Sequence, residues 1–134
     1  MSSPLGTRGE SIAADFFIRA GWSIVHRNFR AGRKEVDLVA RRDGVVAFVE
    51  VKTRRGSRFG DPLDAITAHK RREVEEVAMA WIERHGAVGD VYRFDAVAVR
   101  LQPDGHPRIE HMEDAWYMIP RFSRRSRSRS NTDP

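Results

Sequence analysis

The chain has 134 residues, 40% hydrophobic and 32% charged, with no cysteine. That length suits one domain with a hydrophobic core of its own. The lack of cysteine excludes disulfides, cysteine nucleophiles and thiolate zinc sites, and it fits a reducing, cytoplasmic setting. No apolar run is long enough to span a bilayer, and Met1–Gly6 lacks the apolar core of a secretory signal, so no membrane partner is expected.

The formal net charge of +5 is unevenly spread. Residues 121–134 hold five of the 24 basic side chains and one of the 19 acidic ones, leaving a nearly balanced 19 against 18 elsewhere. This Arg/Ser-rich tail is predicted to be disordered, and residues 1–120 to form the folded domain.

In chain order, Thr7-Arg8-Gly9-Glu10 matches a capping box, a helix-start signal. Ile12, Ala13, Phe16, Phe17 and Ala20 follow at helical spacing and Gly21 ends the run. Strands are predicted over Trp22–Phe29, Lys34–Arg41 and Val45–Thr53, the last two joined by an Asp43-Gly44 hairpin. Arg54–Gly60 reads as a basic loop. Asp61-Pro62 opens a helix to His85, with a break near Thr67 and a buried stripe of Val74, Val77, Ala78, Trp81 and Ile82. Val91–Leu101 alternates as a strand, and Arg108–Met112 as a short edge strand. The order α-β-β-β-α-β-β predicts an α/β fold: a mixed sheet of four to five strands with a helix on each side, its third and fourth strands parallel through a crossover.

Four charges interrupt the apolar pattern: Glu35 and Asp37 on one strand, Glu50 and Lys52 on the next. Charge near a core is costly unless it is paired or holds a metal. A two-residue Asp43-Gly44 loop pairs Arg42 with Val45. Asp37 then falls opposite Glu50, and Glu35 opposite Lys52, all on one face. Cross-strand Cβ atoms lie about 5 Å apart, so the two carboxylates repel and a divalent cation between them would relieve the penalty. Oxygen-only ligands suit Mg²⁺ or Mn²⁺. Lys52 could position a metal-bound water or stabilise charge on a phosphate, or it could only bridge to Glu35. Around these acids the stretch Arg27–Arg58 carries ten Lys and Arg against four Asp and Glu, as a phosphodiester-handling site would. Arg54, Arg55, Arg58 and Lys70 are the candidate nucleic-acid contacts. Phe59 could stack on a base or pin the loop. Asp95 could pair with Arg27 or Arg93, or support the site. The five histidines have no metal-ligand spacing and most are expected at the surface. Trp22, Trp81 and Trp116 are expected at the core or its edge.

The Asp…Glu-x-Lys arrangement on a hairpin resembles the PD-(D/E)xK nuclease core. Gly9-Glu10-x-x-Ala13, His26-Arg27-Asn28-Phe29-Arg30, Glu35-Val36-Asp37-Leu38-Val39-Ala40 and Phe48-Val49-Glu50-Val51-Lys52-Thr53-Arg54 carry a closer resemblance, to the YraN-like family (UPF0102) of small bacterial proteins with that core. Phe59-Gly60-x-Pro62, Lys70, Arg93-Phe94-Asp95 and Ala115-Trp116 extend it to roughly residues 6–117. The resemblance implies a restriction-endonuclease-like fold similar to Holliday-junction resolvases, which cut branched DNA as homodimers. It implies Asp37 and Glu50 as metal ligands, Lys52 as the catalytic lysine, and Glu10 as an accessory acid. As the third residue of a capping box, Glu10 would instead serve helix stability. Lys34 stands where the family usually has glycine, and the basic tail lies outside the family pattern.

The leading expectation is a metal-dependent endonuclease acting on DNA phosphodiesters, with branched or structured DNA as substrate. The alternatives are a nucleic-acid-binding module of the same fold with little or no cleavage, or a structural adaptor whose four charges form an ion network.

Overall fold

The computed structural model describes residues 3–56 and 61–118. Arg58, Phe59 and the 121–134 tail therefore lie outside the described residues.

Helix α1 spans Pro4–Arg19, one turn earlier than the capping box predicts. Ser3 is the cap: its Oγ accepts from the Gly6 amide at 3.0 Å, and Pro4 occupies a first-turn position. A proline there loses no helical hydrogen bond and is already at helical φ, which draws the start upstream. Glu10 is thereby a mid-helix residue and not part of a cap.

Strands β1 (Ser23–Ala31), β2 (Lys34–Arg42) and β3 (Val45–Arg55) follow. The β2–β3 turn is the expected two-residue hairpin, with Asp43 (φ 51) and Gly44 (φ 78) both left-handed. A 3₁₀ helix at Pro62–Ala65 precedes helix α2 (Ala68–His85), and Thr67 at the predicted break caps α2 by accepting from the Lys70 amide. Strands β4 (Val91–Leu101) and β5 (Pro107–Trp116) complete the chain, β5 running four residues past its predicted end. The result is the predicted α/β architecture, a five-stranded sheet in the order β1-β2-β3-β4-β5. Only β3 and β4 run parallel.

Each sheet face buries one helix. Val46 and Phe48 pack with Val74, Val77, Ala78 and Trp81 of α2, while Ala47 and Val49 pack with Ala13, Ala14 and Phe17 of α1. Trp22, Trp81 and Trp116 are all buried, as expected. Trp81 is fully enclosed, and its indole N–H donates to His26 Nδ1 at 2.9 Å. Burying a side chain of this kind contributes roughly 1.5–3 kcal/mol, so Trp81 is the main apolar anchor of α2.

Candidate active site

The site begins where two strands part. The β2–β3 ladder runs from Arg42↔Val45 to Leu38↔Val49 and stops. Beyond it β2 stays paired with β1 as far as Lys34, and β3 stays paired with β4 as far as Arg55. The sheet therefore forks, and the first residues past the last rung are Asp37 and Glu50, opposed as the turn register predicts. Each carboxylate reaches across to the other strand's backbone. Glu50 Oε1 accepts from the Asp37 amide at 3.2 Å, and Asp37 Oδ2 accepts from the Val51 amide at 2.7 Å. Side chains thus replace the ladder bonds that the fork removes. One oxygen of each carboxylate is used in this way, and among the described residues no hydrogen bond takes the other.

The expectation of four charges on one face holds only in part. Val36 packs with the α2 cluster, yet Leu38 packs with the α1 cluster. The alternation of β2 thus slips at Asp37, and the two-residue rule that carried Glu35 onto the face of Asp37 fails there. The distortion continues into β1. The pairs Arg27↔Leu38 and Phe29↔Val36 bracket Asn28, which faces Asp37 in register and adopts a left-handed φ of 50. Asparagine tolerates that conformation better than most residues. Its Nδ2 donates to Glu10 Oε1 at 3.0 Å, tying α1 to the fork. Sequence reasoning missed Asn28 as a positioning residue; an asparagine inside a strand pattern was the available signal.

Gly9 sets how close α1 comes. A Cβ on Gly9 would lie 1.7 Å from Thr53 Oγ1, so only glycine lets the helix rest on β3 there. Glu10, the next residue, is thereby brought near the pair.

Burial pushes the Asp37 carboxyl up to about 7, helped by the charges of Glu10 and Glu35 and opposed by the Val51 amide and by Lys70. Burial and then the Asp37 charge push Glu50 up as well, with Lys70 and the Asp37 amide opposing. Lys70, on the first turn of α2, thus acts on both acids, and its Nζ donates to the Glu35 carbonyl at 3.5 Å. Lys52 is exposed and forms no ion pair among the described residues. Glu35 pairs with Arg30 at 3.3 Å, so the alternative of a Glu35–Lys52 bridge is corrected: the β1–β2 ladder puts Arg30 directly opposite Glu35. Lys34, in the position where glycine is usual in the resembled family, binds Glu76 of α2. Arg54 and Arg55 are both exposed, and along the strand they point to opposite faces.

Two carboxylates, with Glu10 nearby, make up the acidic centre. Among the described residues no group of three or more Asp, Glu or His side chains converges as a complete metal cage. The pair nevertheless fits a hard divalent ion such as Mg²⁺, which is held by one or two carboxylates and keeps several waters.

Asp95 belongs to a separate centre. It is fully buried, held by Arg93 through two 3.0 Å contacts, by His111 Nε2 at 2.7 Å, and by the Asp114 amide at 3.0 Å. Of the partners weighed for it, Arg93 is the one found. Most histidines were expected at the surface, and His111 is an exception: it is largely enclosed, its ring 4.9 Å from that of Phe17. His111 is the ladder partner of Val97, two residues along β4 from Asp95, while the register shift between Phe94 and Ala96 accompanies Asp114, whose amide meets Asp95.

Fold and site together define an α/β domain whose mixed sheet is split at an acidic hairpin. The sequence model of the family described as uncharacterised protein family UPF0102 matches residues 9–99. A UPF0102 protein of Trichlorobacter lovleyi is 43% identical over 113 residues, 84% of this chain and 89% of that protein. One from Symbiobacterium thermophilum is 42% identical over 117 residues, 87% and 99% of the two chains, and one from Rhodococcus jostii is 42% identical over 112 residues, 84% and 95%. The chain belongs to the UPF0102 family.

Proposed function

We propose that the protein is a metal-dependent nuclease that hydrolyses DNA phosphodiesters, with branched or structured DNA as its substrate class. The observation that carries this reading is the fork. Two buried carboxylates face each other and, among the described residues, form no ion pair with a cationic side chain; burial and mutual repulsion disfavour their charged forms. Such a pair is a costly structural element and a good seat for a divalent cation.

Asp37 and Glu50 would hold Mg²⁺ or Mn²⁺. When bound, such an ion supplies Lewis acidity and lowers the pKa of water at the site. Lys52, exposed at the mouth on the strand of Glu50, contacts a phosphoryl oxygen and offsets charge that develops there. Lys70 steadies both acids from the α2 side. Glu10, held by Asn28, adds a third carboxylate at the rim. Arg54 and the other cations near the fork attract the polyanion. A homodimer would present one such site to each of two strands.

Purified protein should cleave at least one substrate from a panel of duplex, single-stranded, flap and four-way-junction DNA in the presence of Mg²⁺ or Mn²⁺. Glu50→Ala and Lys52→Ala should each reduce the rate by at least about a hundredfold, the usual worth of one positioned charge or proton-transfer group. Unchanged rates in both variants would defeat the assignment.

A second reading, a nucleic-acid-binding module with little cleavage, is favoured by the exposure of Lys52, which forms no ion pair among the described residues. It expects salt-dependent binding by the whole panel and no product with either metal.

A further inference from the structure

Strand β1 changes face at one residue. Ser23 and Ile24 pair with Arg41 and Ala40, but His26 pairs with Val39, so Val25 is an extra residue in the strand. Such a bulge breaks the two-residue alternation. Ile24 packs with the α1 cluster, while His26, two residues on, lies against Trp81 of α2. Without the extra residue the imidazole would share the face of Ile24.

The bulge delivers His26 into an aromatic cluster. Its ring centre is 4.8 Å from that of His85, 5.1 Å from that of Phe29 and 6.3 Å from that of Trp81. Trp81 and His85 are four residues apart on α2 and so share one face of the helix. The Trp81 indole is fully enclosed, and its N–H donates to His26 Nδ1 at 2.9 Å. An indole nitrogen can only donate, so Nδ1 presents a lone pair, and the imidazole is neutral with its proton on Nε2. The charged groups around the ring are mostly cations. His85 and Arg84 approach from α2, Arg84 lying 5.8 Å over the Phe29 ring. Arg41 of β2 lies 5.8 Å over Trp81 and is held by Asp90. Burial and then the charge of His85 push the His26 imidazole below its ordinary value.

A proton added at Nδ1 turns the acceptor into a donor. Two N–H groups then point at one another, and the enclosed indole loses its hydrogen bond. A buried donor stranded in this way costs more than the bond itself contributed. The new charge also meets that of His85. The ring escapes only by turning away, which opens the seam between β1 and the last turns of α2.

We propose that the His26–Trp81 hydrogen bond is a proton-operated latch, which fastens the C-terminal half of α2 to β1 while His26 is neutral and releases it in mild acid. A histidine whose folded value is lowered contributes stability that is fully present above the unfolded value, near 6.5, and is lost as pH falls through the lower folded value. The raised carboxyl of Asp37 has the opposite sign, so the latch is read locally and not from global stability.

The full chain, isotope-labelled and in chelator, is followed by NMR from pH 7.5 to pH 5. At pH 7.5 the His26 ring should carry its proton on Nε2. Amide exchange protection of residues 81–85, corrected for the intrinsic effect of pH, should fall at least about tenfold across the series relative to residues 13–17 of α1. His26→Gln keeps an acceptor that takes no proton, so this fall should be absent. His85→Gln, at an exposed position, removes a like charge and should raise the His26 titration midpoint. A neutral His26 with its proton on Nδ1 would overturn the latch, whether or not either variant folds. So would a His26 midpoint at or above 6.5, protection that does not change with pH, or an equal fall in His26→Gln.

Discussion

Two centres in this domain bury acids, and they solve the problem in opposite ways. Asp95 meets a bidentate arginine, a histidine and a backbone amide. Its charge is answered on every side within the described structure. Asp37 and Glu50 answer one another with repulsion and, among the described residues, share two amides and the field of Lys70. A buried acid with its own counter-ions ties elements together: Asp95 joins β4 to the β5 residues His111 and Asp114. A buried acid pair without them carries an electrostatic cost, which the proposed cation would relieve. That contrast separates the structural carboxylate from the two proposed as functional.

The largest effect should come from breaking the satisfied centre. Asp95→Ala leaves Arg93 and His111 without their buried partner and should cost about 3–5 kcal/mol, read as a lower denaturant midpoint. Loss below 1 kcal/mol would remove the distinction drawn between the two centres.

Asp37→Asn should do the reverse. Stability contributed by a raised carboxyl is fully present below its unfolded pKa, near 3.8, and is lost as pH rises through the folded value of about 7. Metal-free wild type should therefore lose stability between those pH values, and the asparagine variant should lose less, because only Glu50, raised chiefly by burial, is left to titrate. The variant's advantage should grow with pH to an upper limit of about 4 kcal/mol above pH 7, by the conversion of pKa shift to free energy. Melts in chelator from pH 4 to 8 measure it, and a wild type as stable at pH 8 as at pH 4 would contradict it.

Mg²⁺ should sharpen the same comparison. Excess ion raises wild-type stability by about 2.7 kcal/mol at a hundredfold excess over its dissociation constant. It should do nothing for Asp37→Asn and should act normally on a variant altered only at Asp95 that still folds. A thermal shift of equal size in Asp37→Asn would point to binding elsewhere.

The smallest effect concerns the helix that brings Glu10 in. Gly9→Ala forces a methyl against Thr53 and should cost roughly 1–3 kcal/mol. Pairing it with Thr53→Ala should recover part of the loss, because the oxygen is then gone while the Thr53 Cβ, 2.8 Å from the methyl, remains.

Much of this was readable in the chain. Asp43-Gly44 demands left-handed backbone at two consecutive positions, and that requirement alone set Asp37 against Glu50. Proline and glycine punctuation located most elements, and Thr67 marked the break before α2. The start of α1 was misread because Thr7 and Glu10 form a capping box in sequence while Pro4, upstream, already favours helix. The placement of Glu35 opposite Lys52 was misread because cross-strand register was extended past the point where β2 and β3 remain paired.

Local chemistry therefore determined the elements, the hairpin register and the identity of the four charges, since turn geometry and side-chain period act over a few residues. Tertiary structure alone decided that the sheet forks at Asp37 and Glu50, that Asn28 and Gly9 hold Glu10 beside them, and that Lys70 rather than Lys52 tempers their charge. It also decided that a bulge turns His26 toward Trp81 and that Asp95 is fully answered. Each of these depends on which strand lies beside which and on where a ladder shifts or stops. That is settled by the packing of distant segments, which no local pattern encodes.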